Sequence, residues 1–220
     1  MHPSWTTLKS LFYQEPLSTL YEEILPTTTY VPKKDRICTI FEKPIDTWKV
    51  VLVGTEPAAN HTGSNRAFLD KPFALEIIQE EIKRQRQDLD YKITPLNWEK
   101  QGVLLLNTSL SVKIGEPKSH TQYWEYFISK IMQHLSTINP CIWVFWGEQS
   151  QKFIPYININ PFNVINYTEE TIKEVPSVND WNYIIKGVYP SRMEEGFIGN
   201  NHFLYINQIL TNLKKKPIIW

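Results

Sequence analysis

The chain alternates between short apolar runs of strand length and longer segments whose apolar residues recur at helical spacing. Residues 49–53, 103–106, 141–145 and 183–188 are nearly continuous apolar runs bounded by turn signals. That is the pattern of strands buried on both faces. Between the first two runs, Pro72 opens a segment with apolar residues at Phe73, Leu75, Ile77, Ile78 and Ile82. Proline is favoured in a first helical turn, so this segment predicts a helix. Its charged stretch over residues 80–86 reads as a solvated face. Helical spacing returns over residues 120–135 and 202–213, with Lys214-Lys215-Lys216 expected in the final turn, where cations suit the dipole. Ahead of the first strand, apolar positions from Trp5 to Leu25 predict two short helices broken near Pro16, and residues 37–41 predict a helical turn. Residues 26–36 form a Thr-, Pro- and Lys-rich connection, and a further strand is expected over residues 162–167.

Strands that alternate with helices predict an α/β fold, a three-layer α/β/α arrangement around a central four-stranded, mainly parallel sheet. No repeat or linker interrupts the pattern, so residues 1–220 are expected to form a single domain with an insertion-like segment at about 154–183. Composition adds limits. Hydrophobic residues make up 42% of the chain and charged residues 21%, as in ordinary folded proteins. Lys plus Arg equals Asp plus Glu at 23 each, so any nucleic-acid contact must come from a local patch. Cys38 and Cys141 fit no metal or redox spacing, and free thiols in a reducing compartment are expected. No apolar stretch approaches the roughly 20 residues that span a bilayer, and the amino end lacks signal-peptide character. An intracellular protein, cytoplasmic or nuclear and without membrane partners, is the expectation.

In an open α/β sheet, ligands bind outside the carboxyl ends of the strands. The four predicted strands end on Glu56, Asn107, Trp146-Gly147 and Tyr189-Pro190-Ser191. Glu56 is the lone carboxylate of the first strand end, in Gly54-Thr55-Glu56-Pro57, and is either a site residue or a turn residue. The loop over residues 55–65 is polar and too short for a helix of its own. Convergence of the four ends predicts one composite site.

These stretches resemble family-1 uracil-DNA glycosylases along nearly the whole chain. Trp98-Glu99-Lys100-Gln101-Gly102-Val103-Leu104-Leu105-Leu106-Asn107-Thr108 is similar to that family's asparagine-bearing strand. Ser119-His120 with Trp124 and Phe127 resembles its following helix, and Phe145-Trp146-Gly147 with Gln151 its next strand end. Gly196-Phe197-Ile198-Gly199-Asn200-Asn201-His202-Phe203, Asn207, Leu210 and Pro217-Ile218-Ile219-Trp220 resemble its carboxyl end. Residues 113–120 with Tyr123-Trp124 are particularly like the poxviral branch, which doubles as part of a polymerase processivity factor. That likeness is compatible with a viral or mobile-element gene.

The resemblance implies an enzyme fold that flips a uracil out of DNA and reads its pairing edge in a tight pocket, without cofactor or metal. Asn107 matches the amide that reads the base and Phe68 the ring that stacks on it. Glu56 stands where the family has a water-handling Asp, and Tyr189 where it has a His that stabilises the uracil anion. Ala58 stands where a Tyr excludes the 5-methyl of thymine, while Thr55 and Ala59 replace a Gln and a His. Met193 is the nearest match to the family's Leu wedge, an apolar type used between base steps. Ser119, His120, Lys118, Pro190 and Ser191 are the implied DNA-contact positions. Lys113 and Arg192 are further phosphate candidates, with a solvated surface as the alternative. His61 lies on the first loop; His2 and His134 acquire no role.

The scaffold matches while the chemistry is substituted. One extra methylene at Glu56 is enough to misplace a carboxylate, and an error of about 1 Å can cost around a hundredfold in rate. Losing the His removes a donor whose counterparts elsewhere are worth about 3–4 kcal/mol. The wedge loop is short, and Glu194-Glu195 bring negative charge towards phosphates. Three expectations follow: a binder of DNA or of a protein partner with little or no excision; an active glycosylase for a 5-substituted uracil or thymine through space at Ala58; or weak activity on uracil. Ile154, Tyr156, Ile157, Ile159, Phe162 and Trp181 are a candidate partner surface, or else they cover the protein's own core. The carboxyl-terminal region is the other candidate partner surface.

Overall fold

The computed structural model describes residues 1–86, 94–158, 182–191, 193 and 195–220. Its strands are β1 (Tyr30–Val31), β2 (Val50–Gly54), β3 (Val103–Asn107), β4 (Val112–Lys113), β5 (Ile142–Trp146) and β6 (Tyr183–Gly187). Its α-helices are α1 (Leu17–Thr19), α2 (Pro72–Gln85), α3 (Pro95–Lys100), α4 (Thr121–Ile138), α5 (Glu148–Gln151) and α6 (His202–Asn212). Four strands form one sheet in the order β3-β2-β5-β6, and every pairing in it is parallel. β1 and β4 form a separate antiparallel ribbon. No described helix is long and apolar enough to cross a membrane.

The continuous apolar runs follow from cover on both faces. Val51, Val53, Leu104, Leu106, Trp143, Phe145 and Ile184 join one core with α4 and the amino-terminal segment. The alternate residues Val50, Leu52, Val103, Leu105, Ile142, Val144, Tyr183 and Ile185 join a second core with α2, α6, Trp98 and Trp220. Successive strand residues point to opposite faces, so a strand between two helical layers has no polar positions to spare. Full burial of each Val or Leu contributes about 1.5–3 kcal/mol.

Several expectations are revised. The amino-terminal segment is a 3-10 helix over Pro3–Tyr13, then α1 and a π-helical turn over Leu20–Ile24, rather than two α-helices. Trp5, Leu8 and Leu11 recur every third residue, which suits three residues per turn. Residues before β3 form α3, started by Thr94, whose side chain accepts from the Asn97 N–H, and by Pro95. α6 ends at Asn212, so Lys214–Lys216 trail the helix instead of occupying its last turn. Cys38 is only half-buried, whereas Cys141 is buried; both are free. The strand expected over residues 162–167 lies outside the described residues.

α2 departs most from its expected faces. Its buried positions are Ala74, Ile77, Ile78, Glu81 and Ile82, a stripe at helical spacing that leaves Phe73 84% exposed. Glu81, expected on a solvated face, is 0% exposed. Its carboxylate accepts from Arg84 Nε at 2.9 Å, Gly199 N at 2.7 Å and Asn201 N at 3.1 Å, with Gln85 adding a further bond. Burial pushes its carboxyl up, and the Arg84, Gly199, Asn201 and Gln85 donors outweigh that, leaving it below the ordinary 4.5. One buried anion thus ties α2 to the turn that starts α6, where Asn201 holds a left-handed φ of 58°.

At the start of α6, the Trp146 Nε1–H donates to His202 Nδ1 at 3.0 Å. Burial pushes His202 down to about 4. Burial, helped by Lys113, does the same to His120. Both imidazoles therefore stay neutral in the folded chain below 6.5, where the unfolded chain binds protons. Stability is expected to fall as pH drops from about 6.5 to 4, with proton uptake on unfolding approaching two. Below 4.5 the Glu81 network adds a further loss, because its folded carboxyl titrates last. Thermal melting across pH 7.5 to 3.5 checks this; a flat melting temperature between 6.5 and 4 contradicts it.

Gly54 closes β2 where the chain must pass close to β3 and to residue 67. A Cβ there would lie 2.6 Å from Asn107 Oδ1 and 2.8 Å from Ala67 Cβ. Gly54→Ala is expected to destabilise the fold by about 1–3 kcal/mol through overpacking. Urea denaturation checks this, and an unchanged midpoint contradicts it.

Candidate functional site

Parallel register brings the expected strand ends together. Gly54 pairs with Asn107 and Trp146 with Gly187 at the carboxyl edge of the sheet. The loops that leave this edge are fastened to one another. Thr108 N donates to Gly54 O at 3.0 Å, Ser109 N to Thr55 O at 2.8 Å and Gly115 N to Ala59 O at 2.9 Å. The Thr108 hydroxyl also donates to Thr55 O at 2.9 Å. The three backbone bonds alone fix the course of the first loop.

Glu56 is 9% exposed, and its Oε2 accepts from Lys118 N at 2.8 Å. Lys118 holds a left-handed φ of 67°, a conformation that costs a non-glycine residue about 1–3 kcal/mol. The strained turn therefore delivers its N–H to the carboxylate. Thr55, Glu56, Thr108, Lys118, Trp146, Gly147 and Tyr189 line a cavity of about 750 Å³, widened outward by Glu125, Glu148 and Lys152. Ala58 does not open into it. It lines a second, mainly apolar groove of about 610 Å³ with Phe73, Ala74, Ile77, Pro190, Ser191 and Met193. Tyr189 borders both spaces.

Phe68 and Asn107, expected to stack on and read the base, line neither space and are each only 1% exposed. Phe68 reaches the sheet end because residues 66–68 run beside β3, with Ala67 N donating to Leu105 O at 3.2 Å. It too has a left-handed φ, 65°. Its ring lies 5.4 Å from Trp146 and 6.3 Å from Tyr189, centroid to centroid. Both polar atoms of the Asn107 amide are buried without a hydrogen-bond partner. A buried amide left unpaired is costly, and such a group in a folded protein calls for an explanation.

The implied DNA-contact residues separate. Lys118 is exposed, and Met193 is 95% exposed. Pro190 is buried and Ser191 half-buried beside the groove. Ser119 Oγ accepts from Lys113 N at 2.8 Å. His120, expected near the DNA backbone, is instead 1% exposed. Its Nδ1 lies 3.0 Å from Ser111 Oγ, which also accepts from Trp124 Nε1 at 2.8 Å. Packing α4 against the sheet draws this histidine inward. His61 is exposed on the first loop.

Two supports of the site escaped the sequence. Asp70 Oδ2 accepts from Ala58 N at 2.8 Å and Ser64 N at 2.6 Å, clamping both arms of the first loop. Burial pushes its carboxyl up against the pull of those donors. Arg66 grips Glu99 with Nε at 2.5 Å and Nη2 at 3.2 Å, holding the segment that carries Phe68. A polar residue in a loop gives no periodic signal, and Arg66 and Glu99 lie 33 residues apart.

Comparison with known proteins agrees with this geometry. The Uracil DNA glycosylase superfamily profile matches residues 42–211. The uracil-DNA glycosylase of Fusobacterium nucleatum is 31% identical over 214 residues, covering 92% of this chain and 85% of that protein. That of Desulfitobacterium hafniense is 30% identical over 223 residues, covering 95% and 89%. The crystal structure of mimivirus uracil-DNA glycosylase superposes with a TM-score of 0.78 at 21% identity, covering 100% of this chain and 87% of that one. With a profile spanning most of the chain and relatives of this identity, the protein belongs to the uracil-DNA glycosylase superfamily.

Proposed function

We propose that this single-domain chain keeps the glycosylase scaffold as a binding protein, engaging DNA, a protein partner or both, with little or no uracil excision. One observation carries the reading: Phe68 and Asn107 are each 1% exposed and line neither the cavity at Glu56 nor the groove at Ala58, so neither space presents the pair that would hold a flipped base. The substituted positions point the same way. Glu56 reaches the first loop's carboxylate position with its Oε2 already engaged by Lys118 N. Tyr189 supplies a bulky ring at the position where the family has an anion-stabilising His.

DNA contact is supported by family membership, by the exposed Lys118 and by Met193, 95% exposed where a wedge would stand. Glu125 and Glu148 beside the cavity oppose a strong phosphate grip. A protein partner is supported by precedent in the fold, since a mimivirus UNG variant was crystallised in complex with UGI. Within the candidate segment at 154–183, Ile157 is buried in the core while Tyr156 remains 42% exposed. Tyr156 is therefore the better surface residue, and Ile159, Phe162 and Trp181 lie outside the described residues.

A second reading has its own support. Ala58 lines an apolar groove that Tyr189 also borders, with no bulky side chain at its own position. An active glycosylase for a 5-substituted uracil or thymine would use that groove.

A base-release panel with uracil, thymine and 5-hydroxymethyluracil in single- and double-stranded DNA tests both readings, with fluorescence anisotropy on the same oligonucleotides. Binding without release is expected. Rapid uracil release that Glu56→Gln abolishes would overturn the binding reading. Release confined to 5-substituted bases would establish the second.

A further inference from the structure

Lys214–Lys216 trail α6 and join a lysine cluster at the amino edge of the sheet, the end opposite the cavity at Glu56. Lys49 stands just before β2, and its Nζ donates to Lys216 O at 2.8 Å. Gln101 bonds both the N–H and the carbonyl of Ile219, which ties the end of α3 at Lys100 to the same tail. The Lys215 charge reaches the Cys141 thiol at the head of β5. Among the described residues, none of Lys49, Lys100, Lys214, Lys215 and Lys216 makes an ion pair. Residues 100–115 and 196–220 contain no Asp or Glu, and the acid nearest to Lys49 in sequence is Asp46. Two of these lysines are held at a cost. Lys49 is half-buried, and burial, then the Lys216 and Lys215 charges, hold its ammonium below the ordinary 10.5. Lys214 has a left-handed φ of 56°. Its N–H donates to Thr211 O at 2.9 Å and that of Lys215 to Leu210 O at 2.8 Å, the helix-closing pair in which glycine ordinarily takes the left-handed place. The dipole of α6 suits a cation within a turn of its end, which leaves Lys49 and Lys100 unexplained. Like charges gathered without a counter-ion, one of them on a strained backbone, conflict with the local rules of the fold and mark a place shaped by function.

We infer that Lys49, Lys100 and Lys214–Lys216 form a second DNA-contact surface, which takes the phosphate backbone of a duplex without reading its sequence. The chemistry favours phosphodiester over carboxylate. All five groups are lysines, compact point charges that suit phosphates, whereas forked recognition of carboxylates favours arginine. The aromatic rings of these segments, Trp48, Trp98 and Trp220, are buried, so a duplex backbone fits here better than stacked single-stranded bases. The chain as a whole is balanced at 23 cations and 23 anions, so gathering five unpaired cations at one edge gives that edge a field the rest lacks. Five-residue strands separate the two edges by roughly 16 Å, so DNA lying on this patch does not enter the cavity at Glu56. The patch goes beyond the proposed function and does not depend on DNA being held at the carboxyl edge.

Fluorescence anisotropy with a uracil-free duplex, titrated at about 50 to 200 mM salt, tests the patch on the full chain. The triple variant Lys214→Gln, Lys215→Gln, Lys216→Gln keeps the Lys216 carbonyl that holds Lys49. It is expected to bind about fivefold more weakly at the lowest salt, with a log–log salt slope shallower by about 2, and the matching triple arginine variant to bind as the native chain. Lys214→Gly alone is expected to bind more weakly yet melt no earlier, because glycine suits the left-handed place. Acetylation of the native chain should be slowed by the duplex at Lys214–Lys216. Unchanged affinity and slope in the triple glutamine variant would overturn the inference, as would unprotected lysines or weaker binding only in variants that melt early. Polyglutamate of matched charge bound as tightly as the duplex would also overturn it, assigning the patch to an acidic protein. Lys118→Gln separates the two edges. Binding lost there and kept in the triple variant would defeat the patch alone, whereas base release by the native chain would defeat the binding reading alone.

Discussion

The parallel pairing of β2 with β3 is the constraint on which the site depends. It sets Gly54 beside Asn107, and that register holds only because Gly54 has no side chain to strike the amide. From this point the two loops leave together and are stitched through Thr108, Ser109 and Gly115 to the carbonyls of Gly54, Thr55 and Ala59. The Glu56 carboxylate is the last stitch, received by the strained Lys118 turn. A carboxylate that completes the binding of one loop to another is held in place for structure as much as for chemistry. This is why a lone Glu at a strand end is compatible with a well-made fold.

A second constraint acts from the opposite layer. Glu81, buried on the core stripe of α2, organises the turn at Gly199 and Asn201 that launches α6. His202, the first residue of α6, then takes the Trp146 indole N–H at the end of β5. The chain of contacts runs from a buried anion to a helix start to the strand end on which Phe68 packs. These paired groups belong to the scaffold rather than to the first loop. The bonds that hold the loops and helices use residues that are present and paired.

The sheet was legible in the sequence because strands covered on both faces leave continuous apolar runs, and β2, β3 and β5 are buried at every position. The strand ends that meet at the cavity were legible as the closures of those runs. The burial of Phe68 and Asn107 was not, because it is set by packing against elements remote in sequence, Trp146 among them. Glu81 was misread for a related reason. In a run of charged residues its spacing is the only hint of burial, and its backbone donors stand 118 and 120 residues away. Phe73 gave the opposite error, since an apolar residue in a first helical turn looks like core until the stripe at Ala74, Ile77 and Ile78 fixes the helix's rotation.

The central claim is that a base-reading site persists here but is shut. A crystal structure of the native chain grown with excess uracil tests it most directly. The account predicts Phe68 and the Asn107 amide still buried, with no uracil between them. Uracil stacked on Phe68 and hydrogen-bonded to Asn107 in the native chain would contradict it.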